Sequence, residues 1–127
     1  MKKIAIINDI HSNYLLLKLV LEDIKKYNVD DFIFCGDYVT DGFDNDKVLN
    51  LIKIKTKNII AGNRDLSIAN YDNKSWIGIN QMKSMLYAYN NITDENKVFI
   101  KTLPIFKIIN IENKKICFSH GTPFNVR

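Results

Sequence analysis

An α/β architecture is expected of this 127-residue chain. Short β-branched runs, KIAIIN, DFIFC and KNIIA, alternate with stretches of helical periodicity, and each run ends at polar residues or glycine. Strands separated by helices at this spacing argue for a parallel sheet joined by right-handed crossovers. Two later apolar runs flanking Glu112-Asn113 add a hairpin.

With 46% hydrophobic and 25% charged residues, residues 1–127 read as one globular domain, large enough to hold a core without disulfides or a structural metal. No apolar run reaches the ~18 residues of a membrane span, and the stretch Ile4 to Ile7 is too short for a secretory signal, so no membrane association and a cytoplasmic location are expected. All but two of the 18 basic residues are lysines, and the net charge is +4. They are scattered rather than gathered into a block, so nucleic acid is not an expected partner except as a small nucleotide substrate. Cys35 and Cys117 sit inside FIFC and KICF without a CxxC spacing, the pattern of packed core thiols.

Lys3 to Asn8 reads as a strand buried on both faces. From Asn13 the period changes: Leu16, Val20, Ile24 and Tyr27 recur at helical spacing. Ser12 or Asn13 serves as the cap, and Glu22 stands one turn before Lys26. Asp31 to Cys35 is the second strand. Asp44 to Lys55 is a capped helix with Val48, Leu49 and Ile52 on one side, and Lys57 to Ala61 is the third strand. Ser75 to Asn90 places Trp76, Ile79, Met82 or Lys83, Leu86 and Tyr89 at helical intervals. A further helix over Asp94 to Thr102 must end before Pro104. Ile105 to Ile111 and Lys114 to Phe118 form the hairpin, which leads to Ser119-His120-Gly121.

Four polar clusters each close a predicted strand: Asp9-Ile10-His11, Gly36-Asp37, Gly62-Asn63-Arg64-Asp65 and Ser119-His120-Gly121. The carboxyl ends of parallel strands share one edge, where ligand sites collect, so the first three converge. The fourth joins them if the hairpin packs on that sheet. Two carboxylates, two imidazoles and an amide, with no thiolate, suit Mn²⁺, Fe, Zn²⁺ or Mg²⁺. Asp37 has two oxygens and so can bridge two cations; two cations roughly 3.5–4 Å apart activate a shared hydroxide for in-line phosphoryl displacement. Taken singly, Asp-x-His, Gly-Asp and Gly-Asn are ordinary turn and capping pieces, and a lone histidine is an ordinary core residue. The case rests on their joint occurrence in this order.

NDIHSN, GDYVTDG, GNRD and SHGTP resemble, in order, the successive motifs of the calcineurin-like metallophosphoesterases. The resemblance runs from Met1 to Arg127. It implies the family's αββα sandwich, two sheets packed face to face between helices, and hydrolysis of phosphomonoesters or phosphodiesters at a dinuclear metal centre. By that resemblance Asp9 and His11 bind the first metal, Asp37 bridges, and Asn63 and His120 bind the second. The implied cofactors are two divalent cations, Mn²⁺ foremost, with Fe, Zn²⁺, Ni²⁺ and Mg²⁺ as alternatives, and the implied partner is a phosphate ester.

Two departures from the family pattern matter. Where many members carry a histidine after the GN pair, this chain has Arg64, whose fork can hold phosphate oxygens but cannot donate a proton near neutral pH. Arg64 is therefore assigned to substrate binding and the leaving-group acid stays unassigned, while Asp65 either orients Arg64 or caps the next helix. The family's closing motif, a glycine followed by two histidines one residue apart, is not reached: the only histidines are His11 and His120. The second sheet is therefore expected to be incomplete, with an uncovered edge that a homo-oligomer could protect. The leading function is a metal-dependent phosphoesterase. The alternative is a catalytically deficient metal- or phosphate-binding regulatory module of the same fold.

Overall fold

The computed structural model describes residues 1–71 and 79–125. Strands β1 (Ile4–Ile7), β2 (Asp31–Cys35) and β3 (Ile59–Ile60) form a parallel sheet in that spatial order, with Ile6 opposite Ile33 and Cys35 opposite Ile60. β4 (Phe106–Ile111) and β5 (Lys114–Ser119) form a separate antiparallel hairpin. Its turn residues Glu112 and Asn113 both have positive φ, 45° and 66°, the handedness that a two-residue hairpin loop requires.

The period-2 alternation of β2 sorts the interior into two layers. Phe32 and Phe34 point into the larger cluster, among Leu17, Leu21, Val48, Leu49 and Ile52. Ile33 and Cys35 point the other way and, with Ile60, meet Ile109 and Phe118 of the hairpin. Helices therefore cover one face of the parallel sheet and the hairpin covers the other. This is the expected sandwich, with a two-stranded second sheet among the described residues.

Helix α1 (Tyr14–Ile24) begins at Asn13, whose side-chain oxygen accepts from the Leu16 N–H at 3.1 Å. It continues into a 3₁₀ turn, Lys25–Tyr27. Helix α2 (Asn45–Lys55) buries Val48, Leu49 and Ile52 as expected. Helix α3 (Asn63–Ala69) starts directly after the third strand, and α4 (Ile79–Asn91) and α5 (Asp94–Thr102) follow. Thr93 caps α5, and Leu103 and Pro104 end it.

Several expectations are corrected. β1 is not buried on both faces: among the described residues it pairs only with β2, and Ile6 is exposed. Helix α1 turns Leu17 and Leu21 inward, leaving Leu16, Val20 and Tyr27 exposed. The LLLKLVL run carries two apolar stripes at helical spacing, and packing against α2 and the sheet selects one of them. Glu22 pairs with Lys25, not Lys26, which turns to Asp23 instead. β3 contracts to two residues. In α4 Met85 and Ala88 face inward, followed by the buried Ile92 just past its end, with Leu86 exposed. The expected helical start at Ser75, with Trp76, lies outside the described residues, as do the side chains of residues 79–82.

Candidate metal centre

The polar clusters meet where the carboxyl ends of β1 and β2 face the start of α3. Backbone hydrogen bonds lace the first two loops together: the N–H groups of Asp9, His11 and Ser12 donate to the carbonyls of Gly36, Asp37 and Tyr38 at 3.1, 3.0 and 2.8 Å. This ladder continues the sheet past its last regular pair. The chain has to turn sharply to do so, and Asp9, His11, Ser12, Asp37, Thr40 and Asp41 all adopt positive φ, between 45° and 73°. Non-glycine residues hold that conformation at an energetic cost, and such residues cluster where surrounding structure over-determines a site.

Two glycines allow the loops to touch. A Cβ on Gly36, whose φ is +94°, would lie 2.5 Å from the Gly62 nitrogen; one on Gly62 would lie 2.2 Å from Asp37 Oδ1. No side chain fits at either contact.

Asp37 is the centre of the constellation and is almost fully buried. Its Oδ1 accepts from the Arg64 backbone N–H at 2.9 Å. Its Oδ2 lies 3.5 Å from His120 Nε2 and 3.9 Å from His11 Nε2. His11 Nε2 is also 3.7 Å from Asp9 Oδ1. Asn63, the first residue of α3, places Oδ1 3.2 Å from His120 Nε2. The hairpin delivers His120 to this edge from the other sheet, so all five expected donors come together. Asp9, Asp37 and His120 each present a ligand atom within 4.8 Å of the others.

The protons of His120 follow from geometry. Its Nδ1 is 2.8 Å from the Cys35 carbonyl oxygen, which can only accept, so Nδ1 carries the proton. In the neutral ring Nε2 then carries the lone pair, on the side of the Asp37 carboxylate and the Asn63 amide oxygen. Nitrogen and oxygen ligand atoms converging on one space suit a borderline or hard divalent cation. The residues present therefore fit a metal ion.

Asp65 is fully buried, and its carboxylate accepts from three backbone N–H groups: Asp37 at 2.8 Å, Gly62 at 2.8 Å and Tyr38 at 3.0 Å. It thus caps α3 and pins the Gly36-Asp37 turn to that helix at once. Burial pushes its carboxyl up to about 7 against the pull of those donors, and the Asp37 charge adds to the rise. Beneath it the buried Tyr38 hydroxyl donates to the Ile60 carbonyl at 2.6 Å and accepts from the Gly36 N–H at 2.8 Å. The Arg64 guanidinium lies 3.9 Å from Asp41.

Several supporting contacts escaped the reading of the sequence. Asn45 Oδ1, at the start of α2, accepts from the Ser12 hydroxyl at 2.6 Å and the Thr40 N–H at 3.1 Å, tying the two loops through a buried contact. Asp41 reaches Ser84 on α4, which donates to its carboxylate at 2.9 Å. Only the Asp and Gly content of GDYVTDG hinted at the strained turn; the partners are distant in sequence. A cleft of about 390 Å³, lined in part by Asp9, His11, Asp41, Leu16 and Val20, opens beside the centre.

The family model for calcineurin-like phosphoesterases matches residues 2–126. An uncharacterized protein of Methanocaldococcus jannaschii is 32% identical over 120 residues, covering 94% of this chain and 49% of its own length. A crystal structure of a hypothetical protein from Pyrococcus horikoshii superposes with a TM-score of 0.85 at 23% identity, covering 98% of this chain and 57% of that one. A metallophosphoesterase from Sphaerobacter thermophilus superposes with a TM-score of 0.72 at 24% identity, covering 85% and 44%. At those identities the two structures speak for the fold. The chain spans about half the length of the curated relative it matches. Among the described residues no helix is long and apolar enough to cross a membrane.

Proposed function

The chain belongs to the calcineurin-like phosphoesterase family, and from that premise we propose that it hydrolyses phosphomonoester or phosphodiester bonds at a pair of divalent cations held by its own residues. Asp9 and His11 hold one, Asp37 bridges, and Asn63 and His120 hold the other, all within a single unit formed by residues 1–127. The observation that carries this reading is the convergence of acceptors on Asp37 Oδ2: His120 Nε2 at 3.5 Å and His11 Nε2 at 3.9 Å, from opposite sheets.

When bound, the cations supply Lewis acidity, which acidifies water and neutralises charge on the attacking and leaving oxygens of an in-line displacement. Asp37, held through both its backbone N–H and its Oδ1, keeps its other oxygen aimed into the centre. Arg64 follows Asn63 on the first turn of α3 and brings a planar cationic fork to the phosphate oxygens. Asp65 acts through the backbone it grips, keeping the bridging loop and α3 in register.

The test is Mn²⁺-stimulated hydrolysis of p-nitrophenyl phosphate and bis-p-nitrophenyl phosphate by the purified chain. Turnover abolished in Asp37→Asn is the expected result. Turnover that survives this substitution refutes the assignment, and metal binding without turnover moves the reading to a metal- or phosphate-binding module of the same fold.

A further inference from the structure

Asp41 lies four residues beyond Asp37 in a backbone with φ 60°, and its neighbour Thr40 has φ 73°. The turn is clamped from outside: Ser84 accepts from the Asp41 N–H at 2.6 Å and donates to its Oδ1 at 2.9 Å. These bonds leave Oδ2 facing inward, 3.3 Å from His11 Nδ1. That nitrogen is sealed from solvent and makes no well-directed hydrogen bond among the described residues. A buried ring nitrogen without a partner is costly, and Asp41 Oδ2 is the acceptor within reach of it.

We propose that Asp41 is a positioning residue for the metal centre: its carboxylate accepts a hydrogen bond from the Nδ1–H of His11 and so holds the Nε2 lone pair toward Asp9 and Asp37. The opposite tautomer would set a bare Nδ1 lone pair against the Asp41 carboxylate, with nothing between them. The other histidine shows the same arrangement. The His120 Nδ1–H donates to the Cys35 carbonyl, and Nε2 turns to the same Asp37 oxygen. Each imidazole is thus held from behind by an oxygen, one from a backbone carbonyl and one from a carboxylate. An outer partner of this kind fixes ring orientation and raises the basicity of the ligating nitrogen. The inference rests on the reading of His11 as a metal ligand. The same Asp41 oxygen lies 3.9 Å from the Arg64 guanidinium, so the test has to separate its charge from its role as an acceptor.

Two-bond ¹H–¹⁵N correlations of the His11 ring in metal-free protein, recorded at mildly alkaline pH where imidazole is neutral, report the tautomer directly. Nδ1–H is expected in the wild type and in Asp41→Asn, which keeps an acceptor without the charge, and Nε2–H is expected in Asp41→Ala. Calorimetric titration with Mn²⁺ is expected to show Asp41→Ala weakened about 10- to 100-fold and Asp41→Asn within about threefold of the wild type. In a His11→Ala background, Asp41→Ala is expected to have no further effect on Mn²⁺ affinity. A His11 ring that keeps Nδ1–H in Asp41→Ala, or Mn²⁺ affinity there within about twofold of the wild type, overturns the proposal. So does an Nε2–H ring in the wild type, a result that needs no variant to fold. A wild-type chain that binds no Mn²⁺ defeats the functional reading instead, while the tautomer still decides whether Asp41 pairs with His11.

Discussion

His120 Nδ1 stands 2.8 Å from the carbonyl oxygen of Cys35, a bond between the hairpin sheet and the last residue of β2. It joins the two layers of the sandwich at the candidate metal centre, with Nε2 on the side of Asp37 and Asn63. His120 belongs to neither apolar core cluster, so removing its side chain takes one donor from the Asn63 side rather than core packing. On the proposed ligand set, Mn²⁺ titration is expected to saturate at two cations per chain in the wild type and at one in His120→Ala. Unchanged stoichiometry would exclude His120 as a ligand.

Asp65 makes stability depend on pH with a definite sign. Its carboxyl is raised from 3.8 to about 7, chiefly by burial. In that window the native state keeps a proton that the unfolded chain has released, so the Asp65 contribution weakens as pH rises from 3.8 to about 7. Urea midpoints of metal-free protein are expected to fall across that interval, with a shallower slope in Asp65→Asn. An identical slope in the two proteins would contradict the shift.

The two apolar stripes of α1 should differ sharply in stability. Leu17 is 3% exposed and Leu16 is 55% exposed. Leu17→Ala is expected to cost about 2–5 kcal/mol, through lost burial and the cavity left behind. Leu16→Ala should stay within about 0.5 kcal/mol. Urea denaturation of both variants measures the difference, and a reversed ranking would mean that α1 packs on its other face.

The two thiols should differ in reactivity. Cys35 is buried against Ile33 and Ile60, and burial raises its pKa, whereas Cys117 is exposed on β5. A disulfide reagent is expected to titrate one thiol in the native protein and both in denaturant. Two fast native thiols would show that the layer between the sheets opens readily.

Much of the architecture was legible because it is local. The β-branched runs, the Val48, Leu49 and Ile52 face of α2, the end of α5 before Pro104 and the Glu112-Asn113 turn each follow from a few neighbouring side chains. The convergence of Asp9, His11, Asp37 and Asn63 was legible for a related reason: each follows a strand of the parallel sheet, and parallel strands bring their ends to one edge. The buried stripe of α1 was not, because LLLKLVL is apolar at both phases and periodicity cannot choose between them. The role of Asp65 was likewise open: whether it turned to Arg64 or capped α3 depended on three N–H groups, two of them on a loop nearly thirty residues away.

From residue order alone came the α/β pattern, the sequence of motifs and the chemical kinds of the donors, since these depend on composition and on contacts within a turn or two. The folded chain supplied the rest. It set which leucines face inward, how Asn45 ties Ser12 to Thr40, and that His120 crosses from the hairpin to meet Asn63. It also set which nitrogen of each imidazole faces Asp37. Those features depend on pairs of groups far apart along the chain, often a side chain with a backbone carbonyl or amide. A backbone group is the same at every residue type, so nothing in the order of the residues marks it until packing brings the pair together.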